Sequence, residues 1–234
     1  MSSRTASILI PLSGILGIVF LGLYFGLGFS LGLAQLPPSA TLEQVISAAT
    51  QYYSQWFMGT WLQGTGAMLS VIFFIALVHR ANAFSRLDGM LTVLGSAVLL
   101  TVVLMEGVFT IDLAQAAANG HQITSLTSFD VMTVFTHIYP LAPAPLIFLS
   151  LGSVLLGSSI LPRVFAYLAI GLGVAFEVVG LISLFTAPML AILVLAFQSL
   201  WVLAAAIIFL VRALRMPTSA LGMPSAAGTA RLSQ

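Results

Sequence analysis

Three ionisable side chains, Glu106, His137 and Glu177, lie inside long apolar stretches of this 234-residue sequence, accompanied by two glutamines, Gln63 and Gln198. A carboxyl and an imidazole can exchange a proton, hold a cation or anchor a hydrogen-bonding ligand, and a glutamine amide can serve either as donor or acceptor. In a lipid-like environment such groups are costly. A charge at the centre of a spanning helix costs about 2.5–3.5 kcal/mol or more, so each needs a partner or a purpose. These five residues form the candidate binding set.

Other chemistry is excluded by what the sequence lacks. It contains no cysteine, which removes disulfides, thiol nucleophiles, iron–sulfur clusters and thiolate metal sites. It contains no lysine, so no retinal or pyridoxal Schiff base can form. There is no His-Glu-x-x-His pattern and no pair of intramembrane aspartates. Of the three histidines, His79 and His137 fall in opposite halves of the bilayer, which rules against a haem held by both. No cofactor, metal or catalytic residue is expected. A net charge of +1 argues against a nucleic-acid partner.

The elements that must carry the five residues are membrane helices. Sixty per cent of the residues are hydrophobic and 6% are charged, against about 25% charged in a soluble domain. A span needs roughly 20 mostly apolar residues. Six such runs occur, at about residues 8–34, 57–78, 90–112, 131–154, 163–186 and 188–211. The predicted fold is all-α and polytopic: a six-helix membrane domain over residues 1–216, then a Ser-, Ala-, Gly- and Pro-rich tail, 217–234, expected to be disordered and cytoplasmic. The first run is too long for a signal-peptide core of about 7–15 residues, so it is read as a span. Its Gly22, Gly26 and Ser30, four residues apart, suggest close helix packing.

All seven arginines (Arg4, Arg80, Arg86, Arg163, Arg212, Arg215 and Arg231) fall on one side of a six-span topology, whereas Glu43, Asp112 and Asp130 fall on the other. Positively charged loops stay in the cytoplasm, which predicts cytoplasmic termini. Between the first two spans, Thr41 and Gln44 form a capping-box pattern ahead of Leu42, Val45, Ile46 and Ala49 at helical spacing. A short amphipathic helix on the outer surface is expected there, with Tyr52, Tyr53 and Trp56 at headgroup level. Ser85 with Asp88, and Thr127 with Asp130, are expected to cap the third and fourth spans. Asn119-Gly120 is expected to stop the third span, Pro162 to open the fifth, and Thr186-Ala187-Pro188 to turn into the sixth.

Counting a rise of about 1.5 Å per residue puts Glu177 and Gln198 within about 4 Å of the midplane, and Gln63, Glu106 and His137 roughly 7–8 Å outward of it. Pro140, Pro143 and Pro145 crowd two turns beside His137, and each removes a backbone donor and frees a carbonyl. Broken helices beside midplane polar groups are how many transporters build a substrate site. Glu177 is expected to pair with Gln198, and Glu106 with His137 and Gln63.

Thr136-His137-Ile138-Tyr139-Pro140, followed by Leu155-Leu156-Gly157-Ser158-Ser159-Ile160-Leu161-Pro162-Arg163, resembles the bacterial membrane family filed as domain of unknown function four-three-eight-six. The likeness is clearest over residues 130–212. It implies a six-helix fold in a bacterial inner membrane and no particular activity. In the last helix the resemblance implies an acidic residue after an aromatic one, where this chain has Phe197-Gln198. The leading functional expectation is small-molecule binding or transport through a polar pocket opening outward. The alternative is a structural or regulatory membrane subunit whose polar residues only fix helix packing. The expected partners are the lipid bilayer and a small ligand, with the oligomeric state left open.

Overall fold

The structure, a computed structural model, describes residues 3–30, 36, 40–185 and 189–215. These form eight helices: α1 (Ser3–Ser30), α2 (Leu42–Gln51), α3 (Tyr53–Arg80), α4 (Leu87–Ala118), α5 (Gln122–Leu141), α6 (Pro143–Leu156), α7 (Arg163–Ser183) and α8 (Met189–Arg215). Six spans are long and apolar enough to cross a bilayer, α5 and α6 together making the fourth. The spans pack as a closed ring. Helix α1 contacts α3 and α8, α3 contacts α4, α4 contacts α5 and α6, these contact α7, and α7 contacts α8. The outward face is covered with large apolar side chains, among them Leu104, Leu168, Phe197 and Leu200. Contiguous apolar exposure on that scale does not persist in water. The chain is a multi-pass integral membrane protein.

Aromatic rings fill the middle of the ring of helices. Phe148 of α6 is fully buried and meets Phe74 of α3 at 5.8 Å, Phe176 of α7 at 6.0 Å and Trp201 of α8 at 5.7 Å between ring centroids. The Trp201 indole N–H donates to the carbonyl of Phe165 at 3.0 Å, so its one polar atom is satisfied inside the core.

Small residues set the helix approaches, though not the ones expected in α1. Gly22 and Gly26 face open surroundings, and α1 packs through Gly14 and Gly17 instead. A Cβ on Gly17 would lie 3.0 Å from the Gly66 carbonyl oxygen of α3, so the two backbones touch there.

Arginines gather at one end of the bundle. Arg80 at the end of α3 donates to the Ser7 hydroxyl of α1 at 3.2 Å and lies over the Phe209 ring of α8. Arg86 before α4 lies against Gly157 after α6, and Arg212 donates to the Ile160 carbonyl.

The opposite end is more elaborate than the apolar runs imply. Helices α4 and α5 run past the expected boundaries, because Ala114, Ala116, Ala117 and Ala118 extend α4 to its predicted stop at Asn119-Gly120. Gly120 takes the left-handed φ of 74° that the stop requires. Helix α2 covers these extensions. Its capping box forms as predicted: the Gln44 amide N–H donates to the Thr41 hydroxyl, and the Thr41 N–H donates to the Gln44 side chain at 2.9 Å. Its Val45 and Ala49 bury against Leu113, Ala114, Ala117 and Phe129. Trp56 belongs to this second core and is only 5% exposed, so its ring packs inside the protein and not against lipid.

Two expected caps do not form. Helix α4 starts with Arg86 at the N-cap and no side-chain cap; Asp88 turns instead to Arg86, at 2.6 Å, and to the Ser153 hydroxyl of α6, at 3.1 Å. Helix α5 begins at Gln122, and Thr127, already inside it, donates to the Ile123 carbonyl. Pro162 stands at the N-cap of α7, immediately ahead of its first turn. The Thr186-Ala187-Pro188 turn and the tail from residue 217 lie outside the described residues.

Candidate functional site

Helices α3 and α4 approach closely where they carry their polar side chains. A Cβ on Gly107 would come within 2.8 Å of the Thr60 methyl group. One turn along α3 from Thr60, the Gln63 amide nitrogen donates to a Glu106 carboxyl oxygen at 2.8 Å. A carboxyl taken out of water needs such a donor, and here it receives one from the neighbouring helix. Tyr24 of α1 packs over Gly59 of α3, one turn before Gln63. Tyr24 was not anticipated as part of the site, although a tyrosine in a spanning segment is itself a polar signal.

His137 sits on α5 one turn before the helix breaks. The break is centred on Ala142, at φ −129° and ψ −63°, and Pro143 opens α6. The three prolines therefore interrupt the fourth span as expected. Two contacts fix the α4–α5 register. The Ser128 hydroxyl donates to Asp112 at 2.5 Å, and Phe109 stacks on Phe135 with centroids 6.0 Å apart. That register puts Glu106 and His137 at one level on antiparallel helices. They do not pair. Among the described residues the one ion pair joins Arg86 and Asp88. The buried Nδ1 of His137 has no hydrogen-bond partner among the described residues. A buried ring nitrogen without a partner costs about 1–3 kcal/mol, and in the expected set it is His137 that carries one.

Gln198 and Glu177 part company. The Gln198 side chain is 6% exposed, and its carbonyl oxygen accepts from the Tyr139 hydroxyl at 2.5 Å. Glu177 is exposed on the outer face of α7 beside Val174, Val178 and Leu181. The expected Glu177–Gln198 pair is not formed. Glu177 shares helical spacing with Gly173 and Gly180, but the buried face of α7 also includes Ala166, Ala169, Phe176 and Ser183. That wider face centres near Phe176, leaving Glu177 at its margin. Tyr139, whose hydroxyl takes the place intended for Glu177, was legible only as part of the proline-rich segment.

The expected site residues therefore fall into two polar clusters, Gln63 with Glu106 and Gln198 with Tyr139. His137 lies on the same helix as Tyr139, and Glu177 stands apart. Two clefts open at the ends of the bundle. One lies between the α6–α7 loop and α8 at the arginine end. The other lies between α2 and the start of α5, where Leu42, Glu43, Ile46, Ser47 and Gln122 line it. Neither is lined by Gln63, Glu106 or His137. Among the described residues no three His, Asp or Glu side chains gather as a metal site would require.

Comparison of the chain with family models, curated proteins and solved structures yields no match.

Proposed function

We propose that this membrane protein binds a small amine or organic cation in the half of the bundle away from the arginines, with Glu106 as anchor and Gln63 and His137 as its polar neighbours. The observation that carries the reading is the Gln63–Glu106 hydrogen bond across α3 and α4, level with the unpartnered Nδ1 of His137 beside a broken helix. A ligand amine offers Glu106 a counter-charge, and a ligand hydroxyl or amide offers His137 the partner it lacks. Transport would further require the aromatic core of Phe74, Phe148, Phe176 and Trp201 to part.

A structural or regulatory subunit is the second reading. It is favoured by the way Gln63 bonds Glu106 and Tyr139 bonds Gln198 without any ligand. Thermal-shift screening of purified protein against organic cations, amines and lipids separates the two. A true ligand at about 100 times its Kd stabilises by about 2.7 kcal/mol. For a chain of this size that raises the Tm by roughly 5–10 °C. Glu106→Gln and His137→Ala are each expected to abolish that rise. If no compound stabilises the wild type, or if both variants keep the response, the binding reading gives way to the structural one.

We further infer that the arginine end faces the cytoplasm of a bacterium, from the one-sided arginines and the resemblance in residues 130–212. Because the chain has no cysteine, single cysteines report cleanly. Ala118→Cys, exposed at the opposite end, is expected to react with an impermeant maleimide added to intact cells, and Arg215→Cys only after lysis. The reverse pattern would invert the topology.

A further inference from the structure

The cleft at the arginine end has no place in the ligand reading above. It occupies about 640 Å³ between the α6–α7 loop and the last turns of α8, and its walls include Gly157, Ser158, Ser159, Arg163 and Arg212. The two arginines come from different helices and meet at the same opening. Arg212 donates to the Ile160 carbonyl at 2.5 Å, which ties the loop to α8 and holds the guanidinium at the rim. Arg163 is exposed at the first position of α7, where no side chain caps the helix and the helix dipole adds positive potential.

Among the described residues no carboxylate lines the cleft. The nearby acidic group, Asp88, is already committed to Arg86, at 2.6 Å, and to Ser153, and Arg86 packs on Gly157 just outside. The charge of Arg86 is thus neutralised locally, whereas Arg163 and Arg212 belong to no ion pair among the described residues. Two guanidiniums outside any ion pair, the Ser159 hydroxyl and a helix N-terminus at the edge of the apolar belt make an environment suited to a phosphate group.

We propose that this cleft binds a phosphate-bearing anion, and that its position where spanning helices meet water suits it to the headgroup of an anionic phospholipid. The exposed Leu156 at the wall of the cleft offers an apolar contact for the start of an acyl chain.

The test is titration of delipidated protein in neutral detergent with short-chain phosphatidylglycerol, short-chain phosphatidylcholine and inorganic phosphate, read by thermal shift and by native mass spectrometry. Phosphatidylglycerol is expected to bind in preference to phosphatidylcholine. Each arginine near an anionic headgroup contributes about 1 kcal/mol, or roughly fivefold in affinity. Arg163→Gln is therefore expected to weaken binding about fivefold, and Arg163→Gln with Arg212→Gln about 30-fold. Arg215→Gln, a neighbouring exposed arginine outside the cleft, is expected to change it less than twofold.

Should the double variant fold poorly through loss of the Ile160 contact, Arg163→Gln alone decides, since among the described residues the Arg163 side chain makes no ion pair. Saturable binding of inorganic phosphate with the same arginine dependence would support the site and assign it to a soluble phosphate compound. Equal phosphatidylglycerol binding by wild type and Arg163→Gln, or an equal loss in Arg215→Gln, would overturn the proposal.

Discussion

Phe148→Ala is expected to lower the stability of the bundle by roughly 2–4 kcal/mol, about 5–15 °C in Tm for a chain of this length. That range follows from the surroundings of one ring. Phe148 is fully buried and makes edge-to-face contacts with Phe74 and Trp201 and a stacked contact with Phe176. Each such pair contributes about 0.5–1.5 kcal/mol beyond area burial. In lipid the transfer contribution that dominates a soluble core is small, since the unfolded helices already lie among apolar chains. What remains is the dispersion attraction forfeited around a cavity that α3, α7 and α8 cannot close without leaving their small-residue seats. Phe109, with its single stacked partner Phe135, provides the comparison, and Phe109→Ala is expected to cost less than half as much. Thermal unfolding of both variants in the same detergent measures the difference. Equal destabilisation would mean that Phe148 is not the hub of the core.

The six spans, the one-sided arginines, the Thr41 capping box, the Asn119-Gly120 stop and the break after Pro140 were all legible in the sequence. Each depends on chemistry local to a few residues or on a property of the whole chain. Apolar length, a hydroxyl accepting from its own first turn, a left-handed glycine and a missing proline N–H do not depend on tertiary partners. The errors share the opposite character. Level alone puts Glu177 opposite Gln198, but level fixes height and leaves rotation about the helix axis open. The width of the buried face of α7, set by Phe176 and the alanines around it, turned the carboxyl outward. Asp88 was read as a local cap, and a hydroxyl on another helix, Ser153, competed for it. Trp56 was read as an interfacial anchor, but the unexpectedly long ends of α4 and α5 built a second core that enclosed it. In the candidate site the sequence supplied Gln63 and Glu106 correctly as neighbours. It missed Tyr24 and Tyr139, because counting charged and amide residues overlooks the polar end of an aromatic side chain.

Gly180→Leu is expected to cause a large loss of stability, and to do so by disturbing the broken helix that carries His137 and Tyr139. Gly180 lies directly against the junction of α5 and α6. A Cβ added there would stand 2.8 Å from the Pro140 carbonyl oxygen and 2.9 Å from the Leu141 Cα. Both neighbours are backbone, and Pro140 is rigid, so neither can rotate away as a side-chain tip could. A leucine must therefore push α7 outward or force the junction apart. Forced overpacking of this kind costs about 1–3 kcal/mol, which lowers Tm by roughly 2–12 °C. The displacement also falls on the helix that carries Tyr139, whose hydroxyl bond to Gln198 spans α5 and α8 across α7. That bond is expected to be lost before the fold is. Gly171, on the same helix but with open space where its Cβ would point, is the control. There leucine replaces glycine without a clash and raises helix propensity by up to about 1 kcal/mol, so Gly171→Leu is expected to leave Tm unchanged or slightly higher. Unfolding curves for the two variants, with Tyr139→Phe alongside to isolate the hydroxyl bond, decide the matter. If Gly180→Leu melts with Gly171→Leu, α7 does not rest on the junction, and the proline break is free to move independently of it.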